Sequence, residues 1–282
     1  MSSSPFWTTV FAFAETTTHV LGTQLLKDFG QTPAEEKSDG SLVTRSDQWA
    51  DQQLAQAIAT TFPEHGFLSE ESNHIFPNTD WCWIVDPIDG TTNFARGIPI
   101  WGISLGLCYQ GTPVFGYVHL PPIAQSFYGF WRAGFTSPLF AEQPQGAFLN
   151  QQPIQPSAAD PGANQLFNFC SRSTHLITPT FPCKARMLGG AAYNMLSVAA
   201  GTFLGAIERS PKIWDIAAVW VMVQAAGAVW IPLDPQGHWP EEQGIPLFPL
   251  ISQQDYGRQG YPTLILSRPE LIPILRPHLQ PL

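Results

Sequence analysis

Apolar residues recur at helical spacing near the start of the chain and at strand spacing through much of the rest. Residues 5–29 carry an apolar face that ends at Gly30, which predicts a long amphipathic helix. The continuous apolar run WCWIV at residues 81–85 predicts a strand that is covered on both faces. Segments 100–109 and 114–120 are rich in β-favouring residues, and the Gln-Gly-Thr-Pro turn between them predicts an antiparallel hairpin.

The second half of the chain alternates strand and helix signals. Strands are predicted at 166–170 and 203–207, and helices at 191–200 and 211–227. This mixture predicts an α+β fold in which layers of helices and mixed sheets alternate. The chain has no internal repeat, Ser/Gly linker or long charge run, so we expect a single domain over residues 1–282.

Charge and composition narrow the function classes. The net charge is −9 and no basic stripe is present, which argues against a nucleic-acid partner. No G-x-G-x-x-G or G-x-x-x-x-G-K-[ST] motif appears, so the usual dinucleotide and P-loop signals are absent. The longest apolar run, at residues 216–223, is too short to span a bilayer, and no secretory signal is evident. The four cysteines lack C-x-x-C spacing and are expected to be reduced, in a cytoplasmic protein.

Two carboxylates, Asp86 and Asp89, follow the buried strand directly. The proline between them stiffens the turn, and Gly90 permits a tight reversal, after which residues 91–93 are predicted to cap a short helix. Carboxylates and carbonyls are hard oxygen ligands for Mg²⁺, and the free N–H groups at a helix start suit a phosphate. A metal site and an anion site are therefore predicted side by side. From these residues alone, a solvated loop with an Asp-Gly turn remains the alternative.

The string DPIDGTTNF at residues 86–94 resembles the signature of the inositol monophosphatase family, a group of Mg²⁺-dependent, lithium-sensitive phosphatases. Other segments resemble the family in the same chain order: a lysine-containing loop with LVT at 37–47, GFLSEES at 66–72, and WDIAA at 214–218. The resemblance covers nearly the whole chain from Lys37 to the predicted C-terminal helix. It implies the sugar phosphatase fold, an αβαβα sandwich with mixed β-sheets, and a homodimer.

Two stretches depart from the family pattern. Residues 135–145 resemble the family only loosely and are expected to form an insertion on the surface. Ser69 stands where the family has glycine. If the backbone there needs a positive φ, serine is strained by about 1–2 kcal/mol.

The resemblance implies the ligands of two or three Mg²⁺ ions. One ion is expected among Glu70, Asp86 and the Ile88 carbonyl, and a second among Asp86, Asp89 and Asp215. A third, weaker ion near Glu70 is part of the same expectation. Taken by themselves, paired glutamates on a loop are usually solvated, and an aspartate at a helix start is more often a cap than a ligand.

The resemblance also implies roles in catalysis. Thr91, with Glu70, is expected to orient a water molecule for in-line attack on phosphorus, and the backbone N–H groups of Gly90 and Thr91 are expected to hold the phosphate. Asp47 is expected to be the N-cap of a helix over residues 48–61, to act just outside the metal ligands, or both. No side-chain nucleophile is needed, so no covalent intermediate is expected.

The substrate side of the site is expected to include Asp89, the backbone of Ala191, Glu208, Ser171 and Arg172. Glu208 precedes Asp215 by seven residues, which matches a hydroxyl-binding glutamate of family members that cleave inositol phosphate. The alternative for this glutamate is a surface acid paired with the arginine that follows it. No cluster of arginines in the sequence indicates a second phosphate pocket.

These observations predict a Mg²⁺-dependent phosphomonoesterase that acts on a small polyol phosphate through attack by water. Inositol 1-phosphate is the favoured substrate, and histidinol phosphate or another sugar phosphate is the alternative. A catalytically inactive relative that binds metal or a phosphorylated ligand as a regulatory module is the alternative from another class. The presence of all four carboxylates favours the enzyme.

Overall fold

The computed structural model describes residues 5–37, 40, 42–234 and 247–279. Positions 38, 39 and 41 of the lysine-containing loop lie outside the described residues, as do other parts of the expected single domain. In the described parts of the chain, the α-helices are α1 (Pro5–Asp28), α2 (Arg45–Thr61), α3 (Thr91–Arg96), α4 (Pro138–Ala141), α5 (Ala191–Ala199), α6 (Ile213–Ala226) and α7 (Leu271–Leu275). The strands are β1 (Ala34–Glu36), β2 (Leu42–Thr44), β3 (Gly66–Ser69), β4 (Trp81–Asp89), β5 (Gly102–Tyr109), β6 (Thr112–Leu120), β7 (Gln125–Phe130), β8 (Gly146–Leu149), β9 (Gln152–Pro153), β10 (Leu166–Phe169), β11 (Lys184–Arg186), β12 (Gly205–Glu208), β13 (Val229–Pro232) and β14 (Thr263–Leu266).

The larger sheet has seven strands in the order β3-β4-β5-β6-β7-β8-β9. Strands β3 and β4 are parallel, and the remaining neighbours are antiparallel. The predicted hairpin is present as β5 and β6, which turn at residues 110–111. Strand β4 is buried along nearly its whole length, as its uninterrupted apolar sequence predicts.

The smaller sheet has five strands in the order β11-β10-β12-β14-β13. Strand β10 runs parallel to β11 and β12, whereas β14 is antiparallel to both of its neighbours. Both β12 and β10 therefore end at the same edge of this sheet. Glu208, the last residue of β12, and residues 170–172, which follow β10, lie at the cavity described below.

The elements stack in five layers. Helices α1 and α2 cover one face of the seven-stranded sheet, and α5 and α6 lie between its other face and the five-stranded sheet. Helix α7 covers the outer face of the five-stranded sheet. The predicted alternation of helix layers and mixed sheets is confirmed.

Helix α6 approaches the larger sheet at backbone distance. A Cβ atom built on Gly116 of β6 would lie 2.2 Å from the carbonyl oxygen of Ala218 in α6. A Cβ on Gly106 of β5 would lie 2.9 Å from Ala217. The absence of side chains at these two positions lets the helix sit close to the sheet, which fixes its first turn, including Asp215, beside the end of β4.

Residues 136–138, 141, 142 and 145 of the expected surface insertion are exposed, but Phe140 at its centre is not. Phe140 in α4 is fully buried and stacks with the rings of Trp81 and Phe135. The Trp7 indole N–H donates to the Leu139 carbonyl at 2.9 Å. An aromatic side chain of this size removes a large apolar area from water, so Phe140 anchors the segment to the core against α1.

Two further expectations concern cysteines and membranes. All four cysteines are free thiols, and Cys82, Cys108 and Cys183 are buried. Among the helices of the described chain, none combines the length and the apolar character that crossing a membrane requires.

Candidate active site

The carboxyl end of β4 carries the two aspartates of the central motif. The register between β4 and β5 shifts between Asp86 and Asp89, so the strand is irregular where the acids lie. Asp86 Oδ1 accepts a hydrogen bond from the Ile88 N–H at 3.0 Å, which fixes the turn. The N-cap of α3 is Gly90, with a left-handed φ of 91°, and not one of residues 91–93 as predicted. A Cβ here would lie 3.1 Å from the Ile100 carbonyl oxygen, so glycine is required for both reasons.

Three carboxylates converge at this point. Oxygens of Asp86, Asp89 and Asp215, here called the carboxylate cluster, lie within 4.8 Å of one another. Asp215 is the third residue of α6, and its Oδ2 accepts the Lys212 N–H at 2.7 Å. Asp215 is therefore not the N-cap, which is Lys212, although its carboxylate accepts the N–H of that residue. Its other expected role, that of a metal ligand, stays a prediction.

Glu70 lies directly after β3, the parallel neighbour of β4. Its carboxylate is not part of the carboxylate cluster. Its Oε1 accepts a hydrogen bond from the Lys37 ammonium at 2.9 Å. The same ammonium lies 2.6 Å from Glu71 Oε1. Although burial lowers the pKa of Lys37, the two glutamates outweigh burial and raise it, so this lysine stays charged.

The carboxylate cluster is electrostatically frustrated without a cation. Burial, together with repulsion from Glu70, Asp215 and Asp89, raises the pKa of Asp86 well above its usual range. Burial raises the pKa of Asp89 to about 7, although hydrogen bonds from the Ala192 and Ala191 N–H groups lower it. Burial and the nearby Asp89 raise the pKa of Asp215 to about 8. Buried like charges with oxygen donors are the environment that a hard divalent cation relieves, so the donor set fits Mg²⁺.

Asp47 is not an N-cap, contrary to that expectation. The N-cap of α2 is Thr44, and Asp47 is the third helical residue of a capping box in which its Oδ2 accepts the Thr44 N–H at 2.8 Å. Its other oxygen, Oδ1, accepts the Thr91 hydroxyl at 3.0 Å. Burial raises the pKa of Asp47 to about 6, and the bonds from Thr44 and Thr91 limit the rise. The capping carboxylate therefore reaches the start of α3.

Ser69 shows no backbone strain. It is the last residue of β3, pairs with Val85, and is not among the residues with positive φ. Its buried Oγ accepts the Ser72 N–H at 3.3 Å and lies 3.1 Å from the Ser72 hydroxyl. The condition for a strained serine is not met, and the side chain stabilises the turn that carries Glu70 and Glu71.

Asp89 also contacts the substrate side of the site. Its Oδ1 accepts the Ala191 N–H at 2.9 Å and its Oδ2 accepts the Ala192 N–H at 3.1 Å. The N-cap of α5, Gly190, has no side chain, so Asp89 satisfies the first N–H groups of that helix from a distance. The Ala191 N–H, expected to face the substrate, is thus engaged by Asp89.

Glu208 is the last residue of β12 and is 5% exposed, so the alternative of a surface acid is wrong. Its Oε1 accepts the side-chain amide of Asn194, in α5, at 2.6 Å. Burial raises the pKa of Glu208 to about 8, although the hydrogen bond from Asn194 lowers it. Sequence reasoning missed Asn194, because an asparagine in a small-residue helix carries no distinctive signal.

One cavity of about 1190 Å³ joins these groups. Its lining includes Glu70, Thr91, the carboxylate cluster and Glu208. It also includes Ser171 and Arg172, as expected. It further includes residues from the 255–260 segment, which carries no site residue predicted from the sequence: Asp255, Gly257, Arg258 and Gly260.

Known proteins resemble this chain in sequence and in fold. The model of the inositol monophosphatase family matches residues 7–255. The chain is 33% identical over 203 residues to inositol-1-monophosphatase of Synechocystis sp., which covers 67% of this chain and 66% of that protein. It is 29% identical over 199 residues to histidinol-phosphatase of Chlorobaculum parvum, covering 68% and 72% of the two. The structure of the Thermotoga maritima IMPase superimposes with a TM-score of 0.73 at 25% identity, covering 94% of this chain and 92% of that one.

Proposed function

This chain belongs to the inositol monophosphatase family and is a phosphatase of that family, and we propose that it hydrolyses a small polyol phosphate, with inositol 1-phosphate preferred. The proposal rests on the position of Glu208, which lines the same cavity as the carboxylate cluster. A buried carboxylate accepts hydrogen bonds from two adjacent hydroxyls, the pattern that a polyol ring presents. A regulatory relative without activity is therefore set aside.

Two or three Mg²⁺ ions would be held by the carboxylate cluster, Glu70 and the Ile88 carbonyl. These donors are all hard oxygens, and burial and mutual repulsion raise the pKa values of Asp86 and Asp215, which favours the binding of a divalent cation there. When bound, Mg²⁺ supplies positive charge to the phosphoryl group and makes a water molecule more acidic.

The chain's own residues position the reacting groups. The Thr91 hydroxyl has one proton, which it donates to Asp47 Oδ1 at 3.0 Å or to the Ile88 carbonyl at 3.2 Å. Its lone pairs are then free to accept from the attacking water, which Glu70 helps to orient. The N–H groups of Gly90 and Thr91 hold the phosphate in place for in-line attack.

Histidinol phosphate is the second candidate substrate. A relative with that activity in its name is 29% identical to the chain. The buried Glu208 carboxylate is also a suitable partner for the ammonium group of histidinol. The two candidates differ in what Glu208 binds, hydroxyls or an ammonium group.

The test is hydrolysis of inositol 1-phosphate, histidinol phosphate and p-nitrophenyl phosphate by the purified protein with Mg²⁺, with and without EDTA. We expect the highest kcat/KM on inositol 1-phosphate, loss of turnover in EDTA, and inhibition by Li⁺. Asp89→Asn removes one charge of the carboxylate cluster and should lose most activity, with Glu64→Gln, an exposed acid, as the matched control. Full turnover after EDTA, or a higher kcat/KM on histidinol phosphate, contradicts the proposal in its first form.

A further inference from the structure

One wall of the cavity is built from two segments that are far apart in sequence. The Lys212 ammonium donates to the Gly257 carbonyl at 3.0 Å, and the Tyr261 N–H donates to the Pro211 carbonyl at 2.8 Å. Residues 210–212 and 257–261 therefore run side by side. A Cβ atom on Gly260 would lie 3.4 Å from the Ser210 Cα, so the contact is close.

Three cationic side chains line this wall: Arg172, Lys212 and Arg258, here called the cationic wall. The Arg172 guanidinium donates to the Ser210 hydroxyl at 3.0 Å. This bond connects the residues that follow β10 to residues 210–212. No cluster of arginines appears along the sequence, but in the structure Arg172 and Arg258 line the same cavity. The sequence does not indicate that these two side chains share a cavity, because Arg172 and Arg258 are 86 residues apart.

The side chains of Arg172 and Arg258 are both exposed. Among the described residues, neither guanidinium forms a salt bridge with a carboxylate. Arg268, in contrast, pairs with Asp160 and Glu270. Both arginines line the cavity, so N–H donors that they do not use within the protein are available to an anion bound there.

The cationic wall stands next to the catalytic groups. Ser210 is two residues after Glu208, which limits their Cα separation to roughly 7 Å. At its other end, the Lys212 N–H donates to Asp215 of the carboxylate cluster at 2.7 Å. A ring whose phosphate lies at the carboxylate cluster and whose hydroxyls meet Glu208 would place its far substituents against this wall.

We propose that Arg172 and Arg258 form a second anion subsite, which favours polyol phosphates that carry another anionic group remote from the scissile phosphate. The inference rests on the proposed phosphatase function and extends it to a substrate class. Two planar guanidinium groups suit a phosphate or a carboxylate, the two anions that bidentate arginine recognises. The cavity volume of about 1190 Å³ leaves room for such a substrate.

The experiment compares esters that differ by one anionic group. myo-Inositol 1-phosphate is paired with myo-inositol 1,4-bisphosphate, and sorbitol 6-phosphate with 6-phosphogluconate, so that phosphate and carboxylate are tested separately. For at least one pair, we expect kcat/KM to be about tenfold higher for the doubly anionic ester, mostly through KM. Because the arginines are exposed, this preference should shrink as NaCl is raised.

Variants separate the subsite from general effects of charge. Arg258→Gln and Arg172→Gln should each lower the preference about threefold, and the double variant should abolish it. Lys184→Gln removes one charge at an exposed strand outside the cavity and should keep the wild-type preference. Equal kcat/KM within both pairs, or equal losses on both members of a pair in the arginine variants, overturns the subsite.

The outcomes also distinguish the subsite from the phosphatase proposal. Hydrolysis of the singly phosphorylated esters without any preference refutes the subsite and leaves the proposed function standing. If no ester is hydrolysed, the proposed function fails, and calorimetric binding of the same pairs in Mg²⁺ decides the subsite. Equal affinities within each pair then refute it.

Discussion

The hydroxyl of Thr91 lies 3.0 Å from Oδ1 of Asp47, and so joins the first turn of α3 to the first turn of α2. The other oxygen of Asp47 is held by Thr44 in the capping box. Both carboxylate oxygens of Asp47 therefore accept hydrogen bonds. The Thr91 hydroxyl donates to Oδ1 of Asp47 or to the Ile88 carbonyl at 3.2 Å, and either bond leaves its lone pairs for water.

Asp47→Asn should lower kcat by about 100-fold, the lower range for a group that orients a proton transfer. The asparagine oxygen is needed by the Thr44 N–H, so its NH₂ group faces Thr91 and forces that hydroxyl to accept. The loss should appear in kcat for every ester, with little change in KM. Thr91→Ser keeps the hydroxyl and is the control. A kcat near the wild-type value in Asp47→Asn would show that this hydrogen bond does not orient the water.

Much of the fold and of the site could be predicted because the signals are local. Nine residues, 81–89, are enough to predict a buried strand that ends in two aspartates. The hairpin after it is predicted by its turn residues. Helix α6 begins close to the predicted position and ends at Gly227, which has a left-handed φ of 84°. In each case the physical cause lies within a few residues of the observed feature.

The rest depends on contacts between distant residues, which periodicity does not report. Asn194 holds Glu208 from another element, and Arg258 reaches the wall that carries Arg172. Phe140 is buried because α1 supplies Trp7 against it. The predicted N-cap, Asp47, is wrong because a Thr-x-x-Asp capping box places the cap three residues earlier.

The metal-free protein should lose stability as pH rises from about 5 to about 8. Asp89 and Asp215 have pKa values of about 7 and about 8 in the folded chain, above their ordinary value of 3.8. The folded state therefore keeps protons that the unfolded state has released, so the free energy of unfolding falls with pH in this window. Thermal unfolding with EDTA measures the fall. Mg²⁺ should reduce or reverse it, because the cation replaces the protons.

Asp215→Asn removes one of these titrating groups and should make the metal-free slope shallower. Glu64→Gln removes an exposed acid and should leave it unchanged. A metal-free Tm that is constant or rises over this range would refute the raised pKa values.

Phe140→Ala should destabilise the protein by about 3–5 kcal/mol, the usual cost of emptying a fully buried aromatic site. Phe140→Leu fills more of the space and should cost less. Chemical denaturation monitored by tryptophan fluorescence is suitable, since Trp7 and Trp81 contact the ring. A loss below about 1 kcal/mol for the alanine variant would show that the Phe140 ring is not buried in the core.

Glu208→Gln should lower kcat/KM for inositol 1-phosphate about 10- to 150-fold relative to p-nitrophenyl phosphate, which offers no hydroxyls. The assay is run at pH 9, above the pKa of about 8 that burial gives Glu208, so that the wild-type side chain is ionised. Glutamine keeps the oxygen that accepts the Asn194 amide at 2.6 Å, so the variant then removes the charge while the hydrogen bond persists. Asn194→Ala does the reverse: it leaves the charge and removes the donor that orients it. The two variants therefore test charge and orientation separately.

The double variant shows whether Asn194 acts through Glu208. If it does, the losses on inositol 1-phosphate should be less than additive, because the orientation of Glu208 matters less once its charge is gone. A purely structural role for Asn194 predicts additive losses that are equal for both esters and follow the loss in Tm. Equal losses on both esters in Glu208→Gln would assign this glutamate to the metals or the fold, and the polyol proposal would lose the observation on which it rests.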